Sequence, residues 1–222
     1  MKKLLIVLVG VDGAGKTTHS FWLHNVLRTR FSTSLIHDEL PPLISLVMQR
    51  RGSSGGYGHY DERGQKVNNK TLRGILHVFL YAFNEILLLI RILKALKNCD
   101  IIILDRWFPD SLASITYSRK GYMRLIMKIL NILSKSIGII VNIQNVQVLI
   151  ILLKVDPIIA HLRRPEHSLT RQKIVSTFTE YFFRIVAKDN SWIFNVIDTT
   201  NKSVQEVHLM ILKTLLMSIN WR

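Results

Sequence analysis

The sequence predicts an α/β fold in which a parallel sheet is covered by helices. Short, nearly continuous apolar runs recur at Leu4 to Val9, Asp100 to Leu104, Val146 to Leu153 and Trp192 to Ile197. Such runs are how strands buried on both faces of a parallel sheet read. Between them lie longer stretches with helical spacing, such as Phe21, Trp22, Val26 and Leu27, or Val204, Val207, Ile211 and Leu215. Strand alternating with helix requires crossover connections, and these set helices against the sheet.

Taken in chain order, the first run ends directly in a glycine loop, LLIVLVGVDGAGKTTHSFWL. Gly10, four further residues, then Gly15, Lys16 and Thr17 complete the phosphate-loop pattern GxxxxGK[ST]. A strand before it and an amphipathic helix after it let backbone amides and the helix dipole converge on phosphate oxygens. Gly10, Gly13 and Gly15 permit a close backbone approach, with Asp12 and Ala14 between them. Lys16, on a polar loop, supplies a point charge near the β and γ phosphates, and Thr17, followed by Thr18, supplies a hydroxyl for magnesium. A glycine turn serving structure alone needs no lysine followed by two threonines.

Residues 50–70 hold five glycines and almost no aliphatic side chains, so a long mobile loop is expected there. Ile75 to Leu96 follows as a helix that is apolar around most of its circumference, which suits a homodimer interface. Asp105 ends the apolar run Ile101 to Leu104 and should emerge at the carboxyl edge of a parallel strand, where ligands of open α/β sheets bind. Ser118 to Gly138 reads as an inserted helix with Arg124, Lys128 and Lys135 roughly on one face. No internal repeat or linker interrupts the 222 residues, so one domain is expected.

Thirty Lys and Arg against 15 Asp and Glu leave a formal charge of +15, which favours anionic partners. Cys99 is the sole cysteine, which excludes an internal disulfide framework and a thiol-only metal site and points to an intracellular, cytoplasmic protein. The apolar amino-terminal stretch ends in the glycine loop and is too short for a secretory signal. His77, Asn84 and Glu85 interrupt the other long apolar stretch, which therefore reads poorly as a membrane span.

The pairing of GVDGAGKTT with the later IIILDRW resembles the thymidylate kinase family of P-loop nucleoside monophosphate kinases. Leu112 and Ala113 after the Asp-Arg pair, and Val155 to Pro157 before a basic stretch, extend the likeness over most of the chain. The resemblance implies a three-layer P-loop kinase fold with five parallel strands, ATP and magnesium as donor, a nucleoside monophosphate as acceptor, and a homodimer. No nucleic-acid partner is expected. By the same resemblance Gly10, Asp12, Gly13, Ala14, Gly15, Lys16, Thr17 and Thr18 line the donor site, with Asp12 facing the acceptor sugar. Arg106 would bridge the acceptor and donor phosphates, Asp105 would order magnesium waters or the sugar, and Thr17 and Asp105 would share the metal. Gly13 in place of arginine implies catalytic arginines in the lid, and HLRRPEHSLTRQK at 161–173 offers Arg163, Arg164 and Arg171.

The acceptor side departs from the family. Gly10 stands where an acidic residue is common, Asn84 and Glu85 where an arginine reads the base, and Ser114 where an aromatic stacks on thymine. A related kinase with another nucleotide or a sugar as acceptor is therefore a second reading. A nucleotide-dependent module at a membrane surface, motivated by the charge and the basic helix, is a third.

Overall fold

Each apolar run noted in the sequence is a strand, and a fifth strand joins them at the edge of one parallel sheet. The computed structural model describes residues 3–37, 70–107, 135, 138, 141, 143–190 and 192–218, with side chains in the first long helix from Phe83 onward. The strands are β1 (Lys3–Val9), β2 (Thr33–His37), β3 (Ile101–Asp105), β4 (Val146–Lys154) and β5 (Ile193–Asp198). The helices are α1 (Lys16–Leu27), α2 (Lys70–Asn98), α3 (Pro157–Arg163), α4 (Leu169–Asp189) and α5 (Val204–Ser218).

The sheet order is β2-β3-β1-β4-β5, and every pair is parallel. β1 therefore lies where the chain leaves one half of the sheet for the other, the place at which open α/β sheets bind ligands. Alternation along β1 feeds two cores. Leu5, Val7 and Val9 pack with Leu88, Ile92 and Leu96 of α2 and Phe182 and Phe183 of α4. Leu4, Ile6 and Leu8 pack with Leu23 and Leu27 of α1 and Val207, Ile211 and Leu215 of α5. Helices thus cover both faces.

Local chemistry sets several boundaries. Asp156 caps α3 by accepting from the Ile158 amide at 2.7 Å, with Pro157 opening the helix. Ser203 and Glu206 form a capping box at the start of α5: Glu206 accepts from the Ser203 amide at 2.7 Å and the Glu206 amide donates to the Ser203 hydroxyl at 3.3 Å.

Some expectations change. The loop expected at 50–70 lies outside the described residues except for Lys70, which already begins α2. The inserted helix at 118–138 lies outside them too, apart from residues 135 and 138, as do Leu112, Ala113 and Ser114. The buried stripe of α1 is Lys16, His19, Ser20, Leu23 and Leu27, while Phe21 is 57% exposed. Its inward face is partly polar because it lies under the phosphate loop, so apolar spacing finds Leu27 and Trp22, which pack in the core, but also picks the exposed Phe21 and Val26. Among the described residues no helix is long and apolar enough to cross a membrane.

Candidate functional site

The loop between β1 and α1 is shaped by its neighbours as much as by any ligand. A Cβ at Gly10, whose φ is 146°, would run into the Leu153 carbonyl oxygen of β4. At Gly13 a Cβ would stand 3.0 Å from the Ala160 carbonyl and 3.4 Å from the Arg163 Cβ, so glycine here makes room for α3. The N-cap of α1 is Gly15, which makes no side-chain cap hydrogen bond. The first turn of α1 therefore keeps amides that a bound anion can use.

Lys16 is 4% exposed, contrary to its expected place on a polar loop. Its ammonium donates to the carbonyls of Gly10 at 2.6 Å and Val11 at 2.9 Å, so the loop wraps its own lysine. Thr17 and Thr18 are exposed beside it.

At the end of β3, Asp105 is 2% exposed and Trp107 is 1% exposed, with Arg106 between them. Arg106 takes φ 71°, a left-handed conformation that is costly for a side chain of this kind, and its amide donates to the Leu8 carbonyl at 3.1 Å. Two buried neighbours and that bond hold the turn. The guanidinium is thereby set toward the phosphate loop, 3.1 Å from the Asp12 carboxylate.

Asp12 collects charges from four parts of the chain. Lys16 Nζ lies 3.9 Å and Arg106 Nη1 3.1 Å from its Oδ1; His167 Nε2 lies 3.1 Å and Arg171 Nη2 3.7 Å from its Oδ2. Burial pushes the carboxyl upward, but Lys16, Arg106, His167 and Arg171 outweigh it and hold Asp12 below its usual value. The fixed cations exceed this one carboxylate, which leaves the cluster suited to a further anion. Gln172 adds a bond from its Nε2 to the Asp12 carbonyl at 3.4 Å.

The segment expected as a lid is the carboxyl end of α3, a turn, and the first residues of α4. It delivers its arginines unequally. Arg163 donates to the Gly13 carbonyl at 3.1 Å and Arg171 reaches Asp12. Arg164 points elsewhere, 59% exposed and paired with Glu166 at 3.5 Å, so the structure does not bring it into the cluster. His167 is not among the arginines that the sequence pattern offers in the lid, although an imidazole, like the Lys173 ammonium of the same segment, can carry positive charge.

His37, also missed, pairs with Asp105, its Nδ1 lying 2.9 Å from Oδ2. The two residues are register partners in β2 and β3, so their side chains leave the sheet on one face. That face is the one α1 covers, since Ile101 and Ile103 pack in the same core as Leu23 and Leu27. Asp105 Oδ1 is buried without a hydrogen-bond partner among the described residues. An oxygen of this kind on the α1 side, together with the exposed Thr17 hydroxyl, fits the hard oxygen ligands that magnesium takes.

Fold and site together define a P-loop kinase type of architecture. The structure is similar to that of a thymidylate kinase from Ehrlichia chaffeensis, with a TM-score of 0.54 and 18% identity, covering 97% of this chain and 100% of that one. At that identity the likeness establishes the fold. No protein-family model matches the sequence, and no curated protein matches it.

Proposed function

We propose that this protein is an ATP-dependent nucleoside monophosphate kinase that transfers a phosphoryl group most readily to dTMP. The observation that carries the reading is the convergence of Lys16, Arg106 and Arg171 on Asp12 at the end of the central strand, from three separate elements. A binding module would need only the loop. Arg106 and Arg171 add charge where a phosphoryl group passes from donor to acceptor, and phosphoryl transfer depends on positioning and on charge stabilisation.

Lys16 holds the donor phosphates, exchanging its bonds to the Gly10 and Val11 carbonyls for bonds to phosphate oxygens. Arg106, with a planar fork suited to two phosphate oxygens, bridges the donor and acceptor. Arg163 and Arg171 close the lid side, and Asp12 spaces the cations and meets the acceptor sugar. Thr17 and Asp105 are the residues that would hold magnesium, which supplies charge neutralisation on the phosphates when bound. We read the protein as cytoplasmic, a single domain, and a homodimer joined through α2.

The test is a coupled assay with ATP, magnesium and dTMP on wild type and Lys16→Ala. Wild type should turn over, and the variant should lose about two or more orders of magnitude in rate, the scale seen when an electrostatic donor is removed. Near wild-type turnover by the variant would rule out this donor site.

A further inference from the structure

One member of the Asp12 cluster has a charge that is not fixed. His167, 17% exposed in the turn between α3 and α4, sets its Nε2 3.1 Å from Asp12 Oδ2. Its carbonyl accepts from His161 Nδ1 at 2.7 Å, which anchors the turn to α3. We propose that His167 is a further positioning residue of this site, taking up a proton when a phosphate group binds among Lys16, Arg106 and Arg171 and so tying the lid turn to that anion. The inference rests on the reading of the cluster as a phosphate site.

The charged groups that act on the imidazole are Asp12 of the loop, Arg171 of α4, and Arg164 and Glu166 of its own turn. Lys16 of α1 and Arg106 behind β3 lie against the other carboxylate oxygen of Asp12. Burial and then Arg171 push the imidazole down, Asp12 and Glu166 pull it up, Arg164 pushes it down again, and the net is below the usual histidine value. In the free protein His167 is therefore largely neutral near neutral pH, with its Nε2 3.1 Å from the carboxylate. A phosphate carries more negative charge than Asp12 alone. Set beside the imidazole, it favours the charged form, and the ring nitrogen without a proton takes one from solvent. Binding and protonation then promote one another, so affinity rises as pH falls through the range in which the imidazole titrates. The arginines cannot do this, because they stay charged throughout.

The experiment is calorimetric titration of the full chain near pH 7 in two buffers of different ionisation enthalpy. The magnesium complex of the imido analogue of ATP is one ligand and dTMP the other. His167→Gln and His167→Asn, which keep a polar side chain that cannot charge, are run beside wild type. Wild type should take up more protons than either variant, by a substantial part of one proton, with the ligand whose phosphate meets His167. Its affinity should also tighten about threefold more than theirs between about pH 8 and about pH 6.5. The two ligands tell a donor phosphate from an acceptor phosphate. Equal uptake by wild type and both variants, with both ligands, overturns the role of His167 and leaves the phosphate site standing. Failure of wild type to bind either ligand overturns both. Should the variants not fold, proton NMR of the wild-type imidazoles decides: one imidazole pKa rises on ligand binding, and the absence of any rise overturns the proposal.

Discussion

Arg106 shows how a single residue trades stability for placement. Its left-handed backbone, φ 71°, puts the guanidinium against Asp12 at a conformational cost on the order of 1 kcal/mol or more. Arg106→Gly removes that cost along with the guanidinium. The expected outcome is an unchanged or higher melting temperature with transfer lower by about two orders of magnitude or more. A variant that lost stability instead would mean that the side chain holds the fold. His19 offers the complementary case. It lies under the phosphate loop, 4% exposed, with its ring edge-on to His208 at 4.7 Å, and His208 stacks on Trp22 at 3.8 Å. Burial first, and then His208, lower its pKa to about 4. Because the folded value lies below the ordinary one, His19 contributes stability that is fully present above about pH 6.5 and is lost as pH falls toward about 4, on the order of 3 kcal/mol. Urea midpoints across that range should fall less steeply for His19→Gln than for wild type. Parallel slopes would show that the histidine titrates alike in the folded and unfolded states.

At the scale of elements, what could be read from the sequence depended on how completely each element is buried. β1, β3 and β4 are buried on both faces, so their residues are almost all apolar and their limits came out within a residue or so. β2 escaped notice because TSLIH is a half-buried edge strand, in which only Ile36 is fully buried and no apolar run forms. The phosphate loop was legible because its chemistry is local: glycines, lysine and threonine are adjacent in sequence. The remainder of the cluster was legible only in part. His167 and Gln172 reach Asp12 from more than 150 residues away, and nothing in local spacing announces such a contact. α2 carries the next prediction. Leu88, Ile92 and Leu96 enter the core, while Phe83, Ile86 and Ile90 are 53%, 48% and 43% exposed along another face. An apolar stripe of this kind suits a second copy of the helix. Sedimentation at tens of micromolar, an order-of-magnitude range for weak association, should show a dimer that Ile86→Glu with Ile90→Glu converts to monomer. A wild-type monomer under those conditions would remove the stripe from the interface.

For the whole molecule, the decisive matter is what the carboxyl edge of the sheet accepts. Arg106 stands beside the phosphate loop, and its fork favours an acceptor that already bears phosphate. α2 packs on β2 and β3 and ends just before β3 begins, so it runs back along the sheet toward that same edge. Asn84 and Glu85 lie twelve and eleven residues before Leu96, and at a rise of 1.5 Å per residue that is about 18 Å, comparable to the length of a strand. Both are buried, 5% and 4% exposed, toward the carboxyl edge of the sheet. A buried amide and carboxylate present different hydrogen-bonding groups from an arginine, and discrimination between bases rests on buried polar contacts of this sort. The expected result from a panel of nucleoside monophosphates is turnover of dTMP together with at least one other base, at rates within far less than the factor of about ten thousand that buried polar readout can supply. Glu85→Gln should then shift the ranking of bases more than it shifts the KM for ATP. Strict selection of dTMP by that full factor would refute relaxed preference and secure the thymidylate reading. Turnover of an unphosphorylated sugar, with every monophosphate inert, would assign Arg106 to the donor alone and replace the nucleotide acceptor with the sugar.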